Sequence, residues 1–415
     1  MAQSTRRTFL QATTALGTAA LLVPQAQAAR VAGVAAANEK LNVGVIGCGN
    51  RGRTIASLLV KLEQNVVALC DIAEFRLDAM QKLLTNANQD EARTFGDYRK
   101  LLEMKSLDAV VIATPDHHHK EQLLAAMAAE KHAYVEKPLT KSIDEGLEIV
   151  EAVRKAKKTV QVGNQRHSGP HWEEAAKAVK ARSFGKLVWA KVWDCRNWVK
   201  SDPFAVPKDF KYDAKKLDWE AFTGNAPKRP FDAHRYWAWR WYWDYAGGLM
   251  TDIGAHQLDI VAWLGGVEVP KSAVANGGRY HFEKWETPDV VHGVWDYGKF
   301  AASFAVQFVN GADGVGAAFY GTKQTLICDA QRDIRLYDTA DKLTPDSVPV
   351  QTWKVENETP LHVKNWVECV KSGDEPNSPV ELGHRVILAA HLANMSYRTG
   401  KKIFWDADRN EIIGS

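Results

Sequence analysis

The chain has 415 residues, 46% of them hydrophobic and 25% charged, a balance that belongs to globular proteins with a substantial core. At about 100 to 200 residues per domain, that length predicts two or three domains, with two as the working count. Fifty-three basic against 50 acidic residues leave a formal net charge of only +3, so bulk electrostatics draws the chain to neither nucleic acid nor an anionic membrane. No apolar run is long enough to span a bilayer, and a small molecule is the expected partner. The five cysteines, Cys48, Cys70, Cys195, Cys328 and Cys369, are odd in number, widely spaced and without a Cys-x-x-Cys pair, which argues against a disulfide framework.

At the N-terminus, Arg6 and Arg7 precede a mildly apolar stretch from Ala12 to Val23, followed by Pro24 and Ala26-Gln27-Ala28. This resembles a twin-arginine export signal, residues 1–28, with cleavage after Ala28; an uncleaved amphipathic N-terminus is the alternative. No cysteine follows the apolar stretch, which argues against a lipid anchor. Residues 29–40, rich in alanine and without apolar period, read as a linker.

From 41 to 162, short apolar runs (Val43 to Ile46, Val66 to Leu69, Ala109 to Ala113, Ala133 to Val135, Val160 to Val162) alternate with segments of helical length. That pattern predicts an α/β domain, a doubly wound, mostly parallel sheet. All fifteen tryptophans lie at or after Trp172, and this break in composition places the start of a second domain, 163–415. Within it, Ser201 to His234 reads as a long loop, and Val290 to Tyr297, Ala301 to Val309, Val315 to Tyr320 and Gln324 to Cys328 read as strands. Helical spacing over Thr359 to Ser372 and Gly383 to Thr399 completes an α+β domain.

Gly47-Cys48-Gly49-Asn50-Arg51-Gly52 is a G-x-G-x-x-G run directly after a strand and at the head of a helical stretch, Thr54 to Leu62, with Asp71 ending the next strand. In that context it is the fingerprint of a dinucleotide site. Gly47 allows the tight turn, Gly49 the approach of a pyrophosphate and Gly52 the close packing of helix on strand. The helix N-terminus faces the anion. Asp71 accepts hydrogen bonds from ribose hydroxyls and repels an added phosphate, which favours NAD over NADP.

The fourth apolar run ends in Thr114-Pro115-Asp116-His117-His118-His119, where Asp116 is placed to cap a helix from His117 to Ala129. Consecutive helical residues point in different directions, so the three histidines do not form a metal site. Cofactor contact by Thr114, Pro115, Asp116 and His119 is the expected role at this carboxyl edge of the sheet.

Glu136-Lys137-Pro138 follows another strand, and Asp252-Ile253-Gly254-Ala255-His256 opens a helix after Gly247-Gly248. With the Rossmann fingerprint, these segments resemble the Gfo/Idh/MocA family (glucose-fructose oxidoreductase, inositol dehydrogenase, MocA) over essentially the whole mature chain. Asn365-Trp366-Val367-Glu368-Cys369 and Gly383-His384-Arg385 are similar to its exported branch. The resemblance implies a Rossmann domain followed by a domain with a large, mainly antiparallel open sheet, through whose open face copies pair as a homo-oligomer, dimer or tetramer. It implies that Lys137 is the catalytic lysine, that Asp252 and His256 are its partners and that Glu136 contacts the nicotinamide ribose. Asn164, Gln165 and Arg166 then lie at the domain junction.

The chemistry asks for the same groups, because oxidising a secondary alcohol removes a proton from oxygen as hydride leaves carbon. His256 has the natural pKa range for a base, and Lys137 stabilises the developing oxyanion; the residues alone leave open which takes the proton. Asp252, four before His256, shares its helix face and can orient the imidazole or a neighbouring hydroxyl. From Arg235 to Tyr245 tryptophans fall at every second position, so an extended chain would present one aromatic face. Such a face, with Arg235, Trp241, Tyr245, Trp193 and Arg196, suits the apolar faces of a sugar, and core packing is the alternative for any one ring.

An exported enzyme meets little free NAD, so the cofactor is expected to stay bound. The twin-arginine route, which carries folded proteins, allows it to be loaded beforehand. Two chemistries fit: net hydride transfer to or from a sugar or polyol, and, as the alternative, a redox-neutral glycoside hydrolase or lyase passing through a transient keto-sugar, with Tyr245 as an added acid/base. A non-catalytic sugar sensor is the third reading, against which the intact Lys137 and His256 argue.

Overall fold

The computed structural model describes residues 40–329 and 332–414. The twin-arginine segment, its cleavage site and the linker up to residue 39 lie outside the described residues.

The first sheet holds β1 (Asn42–Ile46), β2 (Asn65–Cys70), β3 (Arg93–Phe95), β4 (Ala109–Ile112), β5 (His132–Val135) and β6 (Val160–Val162). Its strands are all parallel, in the order β3-β2-β1-β4-β5-β6. Helices α1 (Asn50–Lys61), α2 (Glu74–Asn86), α3 (Tyr98–Leu102), α4 (His119–Ala128) and α5 (Glu145–Ala156) are its connections. The central strands are apolar on both sides because both faces are covered: one apolar cluster joins β1 to α1, another joins β4 and β5 to α4 and α5. Strand order reverses between β1 and β4, and the crevice beyond their carboxyl ends is the natural ligand site of such a sheet.

The rest of the chain runs through α6 (Pro170–Lys180), β7 (Leu187–Cys195), α7 (Trp219–Thr223), α8 (Ala233–Trp237), α9 (Gly248–Asp252), α10 (Gly254–Gly265), β8 (Ser272–Gly278), β9 (Val290–Asp296), β10 (Ala301–Gln307), β11 (Val315–Gly321), β12 (Thr325–Asp329), β13 (Asp333–Tyr337) and β14 (Gln351–Lys354). It ends in α11 (Thr359–Ser372), α12 (Val380–Thr399), β15 (Ile403–Asp406) and β16 (Glu411–Ile412). These strands form a ten-stranded sheet, β14-β13-β12-β11-β7-β10-β9-β8-β15-β16, antiparallel except where β7 meets β10. Alternate residues of β9 and β10 are buried, since α6, α10 and α12 cover one face and leave the other open. Val188, Trp189, Val274 and Val294 are exposed on these strands, and Trp189 stacks on Tyr320 with ring centroids 4.8 Å apart.

α11 returns to the first sheet, where Val363, Trp366, Val367 and Val370 complete the cluster under β1 and α1. Polar sutures fix it: His362 donates from Nε2 to the Val162 carbonyl at 2.9 Å, and the Gln161 amide donates to the His362 carbonyl at 2.7 Å. The end of the chain is thus part of the first domain's core.

Several local expectations are corrected. α1 begins at Asn50, not Thr54, and α12 at Val380, not Gly383. β3 escaped notice because it is three residues long and mostly exposed. β7 did so because Lys191 and Asp194 interrupt its apolar run. Asp116 does not cap a helix: it is the first residue of a 3-10 turn, 116–118, that leads into α4, and the N-cap positions are Pro115 for the turn and His118 for α4. The aromatic run 235–245 is not extended; it winds through α8 and a 3-10 turn, 239–241, so its tryptophans diverge.

Trp366 is fully buried in the seam between α11 and the first sheet. Trp366→Ala is expected to cost about 3 to 5 kcal/mol, as for other large-to-small core changes. Chemical denaturation followed by circular dichroism will show it as a lowered midpoint.

Candidate functional site

The crevice at the carboxyl edge of the first sheet opens into a cavity of about 1030 Å³, bounded on its far side by the second domain. At its floor the glycine run behaves as its spacing predicts. Gly47 has a φ of +92°, and a Cβ on Gly52 would lie 2.0 Å from the Gly47 carbonyl oxygen, so the turn and the helix fit only without side chains. A Cβ on Gly49 would instead project beside Arg76 Nη1 at 3.2 Å, toward the cavity that Gly49 and Arg76 both line. The first turn of α1 has no acidic residue and no side-chain cap, leaving its amides for an anion. Arg51 pairs with Glu136 through Nε, while its Nη2 is buried without a partner among the described residues. This uncompensated donor at the cavity wall, with the open cradle over Gly49, fits a dinucleotide.

Asp71 accepts from the Cys48 amide at 2.8 Å and the Ala73 amide at 3.0 Å, so the carboxylate that faces the cavity also braces the glycine turn. Burial pushes its pKa up, against the pull of Arg76.

A strap from the second domain closes this end. Leu217 bridges Ala73, the Glu74 amide donates to the Lys216 carbonyl at 2.9 Å, and the Asp218 amide donates to the Ile72 carbonyl at 3.0 Å. Arg76 donates from Nε to the Tyr236 hydroxyl at 2.8 Å and lies 5.0 Å from the Trp237 ring. Asp218, Ala221, Phe222, Gly224 and Lys228 thereby face the dinucleotide cleft. No sequence motif marks this strap.

The three histidines serve the backbone. His117 and His118 both bond the Phe222 carbonyl, at 2.8 and 2.9 Å, and His119 bridges the Pro138 and Thr114 carbonyls at 2.8 and 2.9 Å. They anchor the strap and the Glu136-Lys137-Pro138 turn. His119 is correspondingly buried and lies off the cavity wall. Among the described residues no cluster of three or more histidine, cysteine, aspartate or glutamate side chains is arranged to hold a metal ion, and all five cysteines are buried free thiols.

At the inner end of the cavity Lys137, carried by the end of β5, donates from Nζ to Asp252 Oδ1 at 2.7 Å and to the Asp252 carbonyl at 2.9 Å. Arg240 Nε stands 3.5 Å from the same carboxylate oxygen. Burial alone would raise the Asp252 carboxyl, but Lys137 and Arg240 hold it well below the usual carboxylate range. Asp116 is pushed the other way, by burial and then by the Asp252 charge. His256 lines the cavity, and its ring makes no hydrogen bond to protein among the described residues, so its nitrogens are free for a ligand. Burial, and after it the charges of Lys137 and Arg166, pushes its pKa well below 6.5.

Asp252 ends α9, Ile253 interrupts the helix, and His256 belongs to α10, so the two do not share one regular helix face. The carboxylate is held by Lys137 and Arg240 rather than by the imidazole, so of the two groups it was expected to orient, the imidazole is not one it contacts. The head of α10 is positioned instead by the strand end after β6: Asn164 donates to the Ala255 carbonyl at 3.0 Å, Arg166 to the His256 carbonyl at 2.9 Å, and His167 Nε2 meets Asp259 Oδ1 at 2.6 Å.

Of the residues singled out in the sequence, Gly47, Gly49, Asn50, Arg51, Asp71, Thr114, Pro115, Asp116, Glu136, Lys137, Gln165, Arg196, Asp252 and His256 line the cavity. Gly52, His119, Asn164, Arg166, Trp193, Arg235, Trp241 and Tyr245 do not. Trp241 is fully buried and stacks on Trp285 at 4.0 Å. Trp193 points to the other side of the large sheet, its indole bonded to the Asp313 carbonyl at 2.9 Å. Arg235 is taken up by Asp244 and Glu286. Tyr245 is buried against Phe222 and His117, 5.2 and 5.0 Å from their rings, and burial raises its hydroxyl pKa. Of the aromatic run, Tyr236, Trp237 and Trp239 do face the cavity, together with Tyr98, Phe204 and Phe222 from elsewhere in the chain. Arg240 lies between two of these rings, 4.2 Å from Trp239 and 4.4 Å from Phe204. Arg240 was legible only as one cation in an aromatic run; its neighbours come from a distant loop.

Comparison with known proteins gives the same architecture. Residues 41–164 match the model described as "Oxidoreductase family, NAD-binding Rossmann fold", and residues 218–327 match the "GFO/IDH/MocA C-terminal domain". Myo-inositol 2-dehydrogenase of Thermotoga maritima is 21% identical over 390 residues, 90% of this chain and 100% of that protein. Glycosyl hydrolase family 109 protein 1 of Bacteroides fragilis is 34% identical over 123 residues, 28% of this chain, and the match spans only 26% of that protein's length. A levoglucosan dehydrogenase solved with NADH and levoglucosan superposes with a TM-score of 0.69 at 16% identity, covering 88% of this chain and 99% of that one. With both of its domains matched over more than half of its length, the chain belongs to the Gfo/Idh/MocA oxidoreductase family.

Proposed function

We propose that this chain is an NAD-dependent oxidoreductase that exchanges a hydride between its cofactor and a secondary alcohol of a sugar or polyol. One observation carries the reading: the Lys137–Asp252 ion pair stands at the inner end of the cleft beside a His256 ring that makes no hydrogen bond to protein among the described residues. The glycine turn, Asp71, Arg51 and Glu136 would hold the dinucleotide, whose nicotinamide would supply the two-electron hydride acceptor.

The geometry and the lowered His256 pKa support the remaining roles. His256, its pKa lowered, is neutral at physiological pH and is the group able to accept the hydroxyl proton. Lys137, in its ion pair with Asp252, donates a hydrogen bond to the same oxygen and stabilises the charge that develops there. Asp252, itself buried, fixes the ammonium in place. The proton passes from the alcohol to His256 as the hydride leaves carbon, and the product is the keto-sugar.

The strap over residues 73–76 supports a cofactor that remains bound between turnovers, as an enzyme exported by the twin-arginine route requires. Export and homo-oligomer formation through the open face of the large sheet belong to the same reading. The exposed Val188, Trp189, Val274 and Val294 support the latter. The match to a family 109 glycosyl hydrolase favours a second reading, transient oxidation that permits glycoside cleavage with no net change in the cofactor. Tyr245, buried in the aromatic cluster, is not available for the acid/base role there.

Protein purified without added cofactor is expected to release stoichiometric NAD on denaturation, identified by chromatography. Sugar added to the native protein will reduce the bound nicotinamide once and then stop until a keto-sugar acceptor is supplied; glycoside cleavage without net reduction would favour the second reading. Lys137→Met and His256→Asn are each expected to lower kcat by about 10² to 10⁴ while the bound dinucleotide content stays unchanged, and a loss below tenfold in either would sink the assignment.

A further inference from the structure

A second cavity, of about 410 Å³, opens beside the catalytic end of the cofactor cleft. Gln165, Arg196 and His256 line both spaces, so the two meet across the base itself. Its far wall is residues 355–358, the link from β14 to α11, which lies far in sequence from every motif of the active site.

The chemistry of this lining selects a class of ligand. Two guanidiniums, Arg166 and Arg196, face two carboxylates, Glu356 and Glu358, so the charges cancel. Most of them also have partners already. Arg196 grips Asp194 with Nε and Nη2 at 2.7 and 2.8 Å, Arg166 donates to the His256 carbonyl and, at 3.1 Å, to Gln257, and Glu358 accepts from His171 and Trp172 at 3.1 and 3.0 Å. Arg196 is thus neutralised by Asp194, while Arg166 has neutral partners and shares the cavity with Glu356 and Glu358, whose charges oppose the entry of a phosphate or a carboxylate.

Hydrogen-bonding groups of both kinds are left over. Gln165 Oε1 is buried without a partner among the described residues. Asn357 accepts from the Thr359 amide with Oδ1, which leaves its amide hydrogens free. Glu356 is exposed and has no ion-pair partner among the described residues. Donors and acceptors interleaved at the mouth of a reaction site, with no net charge, suit a ring of hydroxyl groups, each of which both gives and takes a hydrogen bond.

We propose that this cavity is a subsite for a second, neutral sugar unit. The substrate is then a glycoside of at least two rings, whose reacting ring lies against Lys137 and His256 and whose neighbour lies between Gln165, Arg196 and residues 356–357. This inference rests on the oxidoreductase reading for the identity of the first ring, but not for the existence of the subsite.

Isothermal titration of the cofactor-loaded chain tests it without relying on turnover. The probes are gluco-, galacto- and manno-configured monosaccharides, their disaccharides and their sugar phosphates. At least one disaccharide is expected to bind about tenfold or more tightly than its own monosaccharide, the worth of two or three added hydrogen bonds. The double variant Glu356→Ala, Asn357→Ala is expected to remove that margin, with retained dinucleotide as the check on its fold. Monosaccharides that bind as tightly as their disaccharides, sugar phosphates that bind better than both, or a margin that survives in the variant would each overturn the subsite. A margin without any reduction of the nicotinamide would leave the subsite standing and remove the oxidoreductase reading. Oxidation of a monosaccharide with no margin would do the reverse.

Discussion

The Lys137–Asp252 ion pair is the interaction on which the site depends, because its partners come from different domains. Lys137 leaves the carboxyl end of β5 in the first sheet, while Asp252 closes α9 beneath the second. Their side chains are only 14% and 13% exposed, and removing one partner of such a pair leaves an uncompensated buried charge that costs about 3 to 5 kcal/mol. Once Asp252 is ionised and occupied, it is not available to His256. The adjacent ammonium and the Arg166 guanidinium, added to burial, keep the imidazole neutral. One pair thus joins the domains, places a hydrogen-bond donor and leaves a base without a proton.

The remaining contacts between the two halves make that placement rigid. Asn164 and Arg166 bind the carbonyls at the head of α10, and α11 returns from the end of the chain to complete the core beneath β1. The strap adds a different consequence. By binding residues 72–76 through backbone groups and the Arg76–Tyr236 contact, it covers the adenosine end of the cleft with the second domain. Release of the cofactor would require those contacts to open.

What was legible in the sequence was whatever is encoded locally. The glycine turn, its strand and Asp71 occupy a short contiguous stretch whose backbone demands are specific. Lys137, Asp252 and His256 sit in equally compact motifs. The substrate wall was not legible in this way. Alternating tryptophans from 237 to 243 satisfy a strand pattern, yet the run folds helically because tertiary packing draws Trp241 into the core against Trp285 while Trp239 stays at the cavity. Arg240, Phe204, the strap and the loop 355–358 become neighbours of the site only through long-range folding. Asp252 and His256 were implied by the resemblance to the family, and the four-residue spacing between them did not reveal the break at Ile253 or the hold of Lys137 on the carboxylate.

The central claim is that His256 rests neutral beside a charged Lys137. It is tested most directly by NMR titration of ¹⁵N-histidine-labelled protein, with the His256→Gln variant to assign the resonance. The account predicts that His256 gains its proton only below its ordinary value of 6.5 and that Lys137→Met, which removes a repelling charge, moves the titration upward. A His256 that titrates at or above 6.5 in the native chain, or one indifferent to Lys137→Met, would contradict it.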